Sequence, residues 1–117
     1  MNAADAIDER ATTRGWYRYA REYNDHSAPG RGWMLVSYSK DNIVLKVRYY
    51  LFGGHGSKRM MDWYGKDTSQ HQYVNWGVDY AEVKVITEDR GIKSWFTRHS
   101  FTGKNKKAQV LRWLKDN

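Results

Sequence analysis

The stretch Val78–Asn117, VDYAEVKVITEDRGIKSWFTRHSFTGKNKKAQVLRWLKDN, decides how this chain folds. Between Val78 and Thr87, Ala81, Val83 and Val85 fall on one side and Tyr80, Glu82, Lys84 and Ile86 on the other. Period-two alternation of this kind belongs to a strand with one face in a core. Glu88-Asp89-Arg90-Gly91 is a turn signal, and Ile92–Phe101 returns as the second arm of a hairpin. By simple parity Lys93, Trp95, Thr97 and His99 share one face of that arm, and Ser94, Phe96, Arg98 and Ser100 the other. Lys104–Asp116 then reads as a closing helix with Val110, Leu111 and Leu114 as its buried ridge. Lys106 and Lys107 stand in its first turn, where they oppose the helix dipole at a cost of roughly a few tenths of a kcal/mol.

Working back from this hairpin, Ile43–Phe52 is the strongest strand of the chain. Ile43, Leu45, Val47, Tyr49 and Leu51 form one face, and Val44, Lys46, Arg48, Tyr50 and Phe52 the other. Trp33–Ser39 is a second apolar, β-rich run, joined to it by Lys40-Asp41-Asn42 as a hairpin turn. Further upstream, Trp16, Tyr19, Ala20 and Tyr23 recur at helical spacing behind Thr13, which has the chemistry of an N-cap. The spacing predicts a helix there, with Arg14, Arg18 and Arg21 on another face. Residues 1–12 read as a flexible or helical arm and residues 13–117 as one globular domain. Between these elements lie a loop over residues 24–32, a Gly-rich turn from Gly53 to Arg59, a helical turn at Met60–Tyr64 and a polar excursion over residues 65–77. A short strand around Tyr73–Trp76 is the alternative for the end of that excursion. The expected architecture is α+β: an antiparallel sheet of about four strands, with N-terminal and C-terminal helices packed on one face and the other face open.

Composition narrows the function. The chain has 117 residues, the size of one domain. It holds six Trp, nine Tyr and three Phe, more than a core of this size takes up, so some are expected at a surface. There is no Cys, which removes disulfides and thiolate chemistry and fits a cytoplasmic setting. No apolar run reaches the roughly 20 residues of a membrane span, and the acidic start MNAADAIDER is not a secretory signal. Enzyme signatures such as G-x-x-x-x-G-K-[ST], H-E-x-x-H and G-x-S-x-G are missing. His26, His55, His71 and His99 are isolated in sequence, so no local metal pair exists. A site built in three dimensions would have to join them to acids such as Asp62, Asp67 or Asp79. The chain reads as a non-enzyme with no cofactor and no metal.

The charge is concentrated. From Arg90 to Asn117 eight Lys/Arg face a single acid, Asp116, whereas the first 89 residues carry 12 of each sign. A basic excess packed into a short stretch makes an electrostatic face suited to phosphate. Glu82–Asn117, with its strand, acidic-Gly turn, strand, F-T-x-K-x-K-K-A and W-L-K helix, resembles the β-β-α pattern of the arm-type domains of phage integrases and of AP2 domains. The turn Gly103-Lys104-Asn105-Lys106-Lys107-Ala108 is similar to the helix start of double-stranded RNA-binding domains. The likeness covers under a third of the chain, which departs from those families in its aromatic N-terminal part and its irregular middle. It implies Lys104, Lys106 and Lys107 as phosphate contacts and Lys93, Trp95 and Arg98 on a reading strand. Arg112, on the closing helix, completes the basic set.

The sequence therefore points to DNA or RNA binding, with duplex somewhat favoured over single strand by the β-β-α pattern. Exposed aromatics and arginines also suit a protein-interaction module, such as a phage or mobile-element type inhibitor of a host protein, or a homodimer interface.

Overall fold

A computed structural model describes residues 3–24, 33–52 and 75–117 of the chain. Helix α1 (Ala3–Thr13) leads into strands β1 (Tyr17–Asn24), β2 (Trp33–Lys40), β3 (Ile43–Phe52), β4 (Asn75–Asp89) and β5 (Ile92–Phe101), and helix α2 (Lys106–Asp116) closes the chain. The strands form one antiparallel sheet in the order β1-β2-β3-β4-β5. The fold is thus α+β with a helix at each end, and the sheet has five strands rather than four. The expected loop at 24–32 beyond Asn24, which ends β1, the Gly53–Arg59 turn, the Met60–Tyr64 turn and the excursion up to residue 74 fall outside the described residues, as do His26, His55, His71, Asp62 and Asp67.

The fifth strand comes from a stretch that helical spacing had claimed. Trp16, Tyr19, Ala20 and Tyr23 do not form a helix; Tyr17–Asn24 is β1, paired with β2. The helix lies one segment earlier, where Ala4, Ile7 and Ala11 repeat along one face and are fully buried. It ends just where the sequence suggested a beginning. Gly15 takes φ +89°, Gly15 N–H donates to Thr12 O at 3.2 Å and Trp16 N–H to Ala11 O at 2.9 Å. These two bonds satisfy the last helical carbonyls, and the left-handed residue between them suits glycine. Beyond that stop, the aromatic and Arg-rich run has strand propensity and a paired neighbour. Residue 19 is an irregularity in the β1–β2 register.

Both helices lie against the same sheet face. Met34, Val36 and Tyr38 of β2, Leu45, Val47 and Tyr49 of β3, and Ala81 and Val83 of β4 meet α1 and α2 in one cluster with Trp16, Phe101, Val110 and Leu114. On α2 the buried ridge is Val110 and Leu114, while Leu111 is only half-buried beside it. Trp16 and Trp113 lie with ring centroids 5.4 Å apart, joining the end of α1 to α2. The Lys40 ammonium donates to Arg14 O at 3.0 Å and Asn117 O at 2.9 Å. It thereby places a cation at the carboxyl ends of both helices, where the dipole favours it. The opposite face is not simply open: Ser37, Val44 and Glu82 on it are buried.

One charged group is built into the core. Asp8, 1% exposed, accepts from Arg18 Nη1 at 3.0 Å and from the Tyr38 hydroxyl at 3.1 Å. The Tyr49 hydroxyl is buried nearby without a completed hydrogen bond, as is Trp16 Nε1. Burial, more than any neighbour, pushes the Tyr38 and Tyr49 hydroxyls above the ordinary tyrosine range.

Two outcomes follow from this packing. Ile7→Ala should cost about 2–5 kcal/mol in urea unfolding, as a core truncation does; a midpoint that does not move would mean that α1 is not part of the core. The tyrosines govern the alkaline limit. A raised pKa means the fold keeps a proton that the unfolded chain loses above pH ~10, so stability is complete below that pH and falls as pH rises, by about 1.4 kcal/mol per unit for each such group. Tyr49→Phe should therefore change stability little at pH 7 and make this alkaline decline shallower, read from denaturation midpoints between neutral and high pH.

Candidate nucleic-acid interface

The β4–β5 hairpin closes through Arg90 and Gly91, at φ 53° and 81°, a two-residue turn whose twist matches that of the flanking strands. Beyond the Ile43–Val85 pair, where β3 ends, the hairpin continues as a two-stranded ribbon. Residues 87–93 are exposed. Lys93 faces Glu88 across the ribbon and Trp95 faces Ile86. Both lie on the sheet face away from the helices, and Trp95 is 49% exposed.

Parity fails at Arg98. Thr97 pairs with Lys84 and His99 with Val83, so Arg98 is an extra residue in β5. Such a bulge re-aims the side chains that follow it. Cross-strand partners share a face. Phe96, opposite Val85, His99, opposite Val83, and Phe101, opposite Ala81, therefore all lie on the helix side. His99 leaves the face of Lys93 and Trp95 on which alternation had put it.

On the helix side an open cleft of about 320 Å³ separates β5 from α2. His99, Phe101, Arg112, Trp113 and Asp116 are among the residues that line it. The His99 ring meets Phe101 edge-on at 4.5 Å, and Phe101 meets Trp113 at 6.3 Å in the same manner. Gln109 braces the turn before the helix, donating from Nε2 to Thr102 O and Lys104 O, each at 2.8 Å. Lys106 Nζ donates to Gly103 O at 2.7 Å. Asn105 takes φ 61° at the helix start and makes no side-chain cap, and the first turn holds no acid.

The seven sequence-predicted residues thus divide. Lys104, Lys106 and Lys107 gather at the start of α2, Arg112 lies one to two turns along it on the cleft, and Arg98 is at the bulge beside His99. Lys93 and Trp95 are five and three positions before Arg98, and eight and six before Phe101 at the end of β5, the latter about 20–27 Å by strand rise, on the other face. Sequence reasoning missed His99, Phe101 and Trp113 as a set, with Phe96 on the same face, because only the bulge and the docking of α2 bring the three together. Gln109, Arg112 and Asp116, at i, i+3 and i+7, carried a legible helical signal for the α2 side of the cleft.

Among the described residues, three cations of the first 89 residues are held in ion pairs. Arg18 pairs with Asp8, Arg48 with Asp79 and Lys84 with Glu82, at 3.0, 3.0 and 3.3 Å. The Arg48 guanidinium also lies over the Tyr80 ring at 5.8 Å. Desolvation, with the hydrogen bond and charge of Glu82, pushes the Tyr80 hydroxyl up to about 12. Arg10, Arg14, Lys40 and Lys46 enter no ion pair among the described residues, and neither do Arg90, Lys93, Arg98, Lys104, Lys106, Arg112 and Lys115, which have only Asp116 as an acid in their own part of the chain. Among the described residues no group of three or more His, Asp or Glu side chains is arranged to hold a metal, and no helix is long and apolar enough to cross a membrane.

Comparison with known proteins finds no matching family model, no matching curated protein and no matching solved structure.

Proposed function

We propose that this chain is a small, non-catalytic nucleic-acid-binding protein that engages phosphate through the C-terminal half of β5, the turn at residues 102–105 and α2. The observation that carries this reading is the concentration of charge: Arg90–Asn117 holds eight Lys/Arg against one acid, Asp116. The first 89 residues carry 12 basic and 12 acidic side chains, and among the described residues seven of the eight C-terminal cations enter no ion pair. Unmatched, exposed cations clustered with like charges repel one another. Release of counterions from a nucleic acid turns that cost into binding energy. Backbone groups at the uncapped start of α2 add to the same field. Lys93 and Trp95, on the far face, fit a second contact along a bent or long strand rather than the first.

A specific observation favours a second reading, a protein-interaction role for the ribbon: Ile92, Trp95 and Phe96 are 69%, 49% and 58% exposed on an edge strand. Retention of a defined protein from nuclease-treated extract, lost on Trp95→Ala, together with no affinity for nucleic acid, would replace the first reading with this one.

The decisive measurement is a titration against single-stranded DNA, duplex DNA and duplex RNA at several salt concentrations. Log affinity should fall linearly with log salt. Changing Lys104, Lys106 and Lys107 together to Ala should flatten that slope by about 2–3 units if each neutralises one phosphate. A slope untouched by the triple change would remove the start of α2 from the interface.

A further inference from the structure

Helix α2 is too short to cover the strand it packs beside. Its 11 residues span about 16 Å, whereas the 10 residues of β5 span about 34 Å. Phe96 is left 58% exposed on the helix side, in line with His99 and the cleft. A phenylalanine has no polar tip with which to meet water, so its exposure on this face calls for a ligand more than that of a Tyr or Trp would.

We propose that this row is a track for an unpaired nucleic-acid strand. Phe96 stacks against one base, the His99 cleft receives the next, and Arg98 and Arg112 hold the backbone beside them. The proposal rests on the nucleic-acid reading and narrows it to single strands. Three features support it. The bulge sets Phe96 and His99 on one face, with a spacing somewhat beyond the ~7 Å of alternate strand residues, which suits successive splayed bases. The cleft is lined by the aromatic residues His99, Phe101 and Trp113 together with polar Gln109, Arg112 and Asp116; a nucleobase likewise has apolar faces and a hydrogen-bonding edge. Finally, neither Arg98 nor Arg112 is engaged by a carboxylate among the described residues. A duplex cannot use such a site without unstacking, because its bases present only their edges in the grooves. The duplex preference expected from the β-β-α pattern gives way here to the shape of the cleft.

The test uses the full chain and end-labelled oligothymidine, a mixed-sequence single strand and the matching duplex, followed by fluorescence anisotropy. The single strands should bind more tightly than the duplex. Phe96→Ala and His99→Ala should each weaken them about 5- to 150-fold, the range for loss of one stacked base, with the salt slope unchanged because no phosphate contact is lost. Phe96→Tyr and His99→Phe, which keep a flat ring and the edge contact with Phe101, should retain affinity and guard against a folding defect. Equal or tighter duplex binding, or Ala variants that bind single strands like the parent, would overturn the track while a salt slope sensitive to Lys104, Lys106 and Lys107 left the wider reading standing. Absence of salt-dependent binding to every probe would overturn both.

Discussion

The structure depends on the covering of one sheet face by two short helices drawn from opposite ends of the chain. The apolar row across β2, β3 and β4 cannot remain in water; each large side chain in it is worth about 1.5–3 kcal/mol on burial. Helix α1 brings Ala4, Ile7 and Ala11 to that row and α2 brings Val110 and Leu114. The helices then need to be held side by side, and the Trp16–Trp113 contact and the Lys40 ammonium do this at their carboxyl ends. Because the last element completes the core, the segment that bears the charge is also the segment that closes the fold. Its cations are consequently presented from a rigid helix and its bracing turn.

This arrangement keeps the two tasks of α2 apart. Its core side is apolar and fully buried, while Lys107, Arg112 and Lys115 project from the remainder. On the rest of the molecule the two signs balance, and some charges are matched locally: Asp8 inside the core by Arg18 and Tyr38, and Arg48 and Lys84 on the sheet surface. Exposed pairs of that kind contribute little to stability, but they cancel the field that each charge would otherwise send into solvent. What is left is a field dominated by the carboxyl-terminal end, next to aromatic groups on an edge strand. A bulged edge with cations is also protected from pairing with a second sheet, so the same Arg98 that re-aims His99 guards against aggregation.

Much of the fold was legible because β2, β3 and the central part of β4 obey alternation. Ile43, Leu45, Val47 and Tyr49 read inward and are inward; Ala81 and Val83 likewise; Arg90-Gly91 read as a turn and is one. The misreading at Trp16–Tyr23 has a definite cause. An aromatic run with Ala and Arg satisfies both a period of 3.6 and a period of two, and periodicity alone cannot choose between them. The choice was made by Gly15, whose left-handed conformation ends α1 and hands the chain to the sheet. Of the candidate site, the lysines at the start of α2 and the presence of Arg112 were legible. The aromatic partners were not, since one extra residue at Arg98 reverses the parity of everything after it.

The sequence by itself determined the class of the fold, the hairpin and closing helix at its end, and the concentration of positive charge there, because these depend on local spacing and composition. Only the tertiary structure decided that His99, Phe101 and Trp113 meet beside Arg112 with Phe96 on the same sheet face, that Lys93 and Trp95 face elsewhere, and which cations are matched by carboxylates. Those outcomes depend on strand register and helix docking, where a one-residue slip moves a side chain to the opposite face of the sheet.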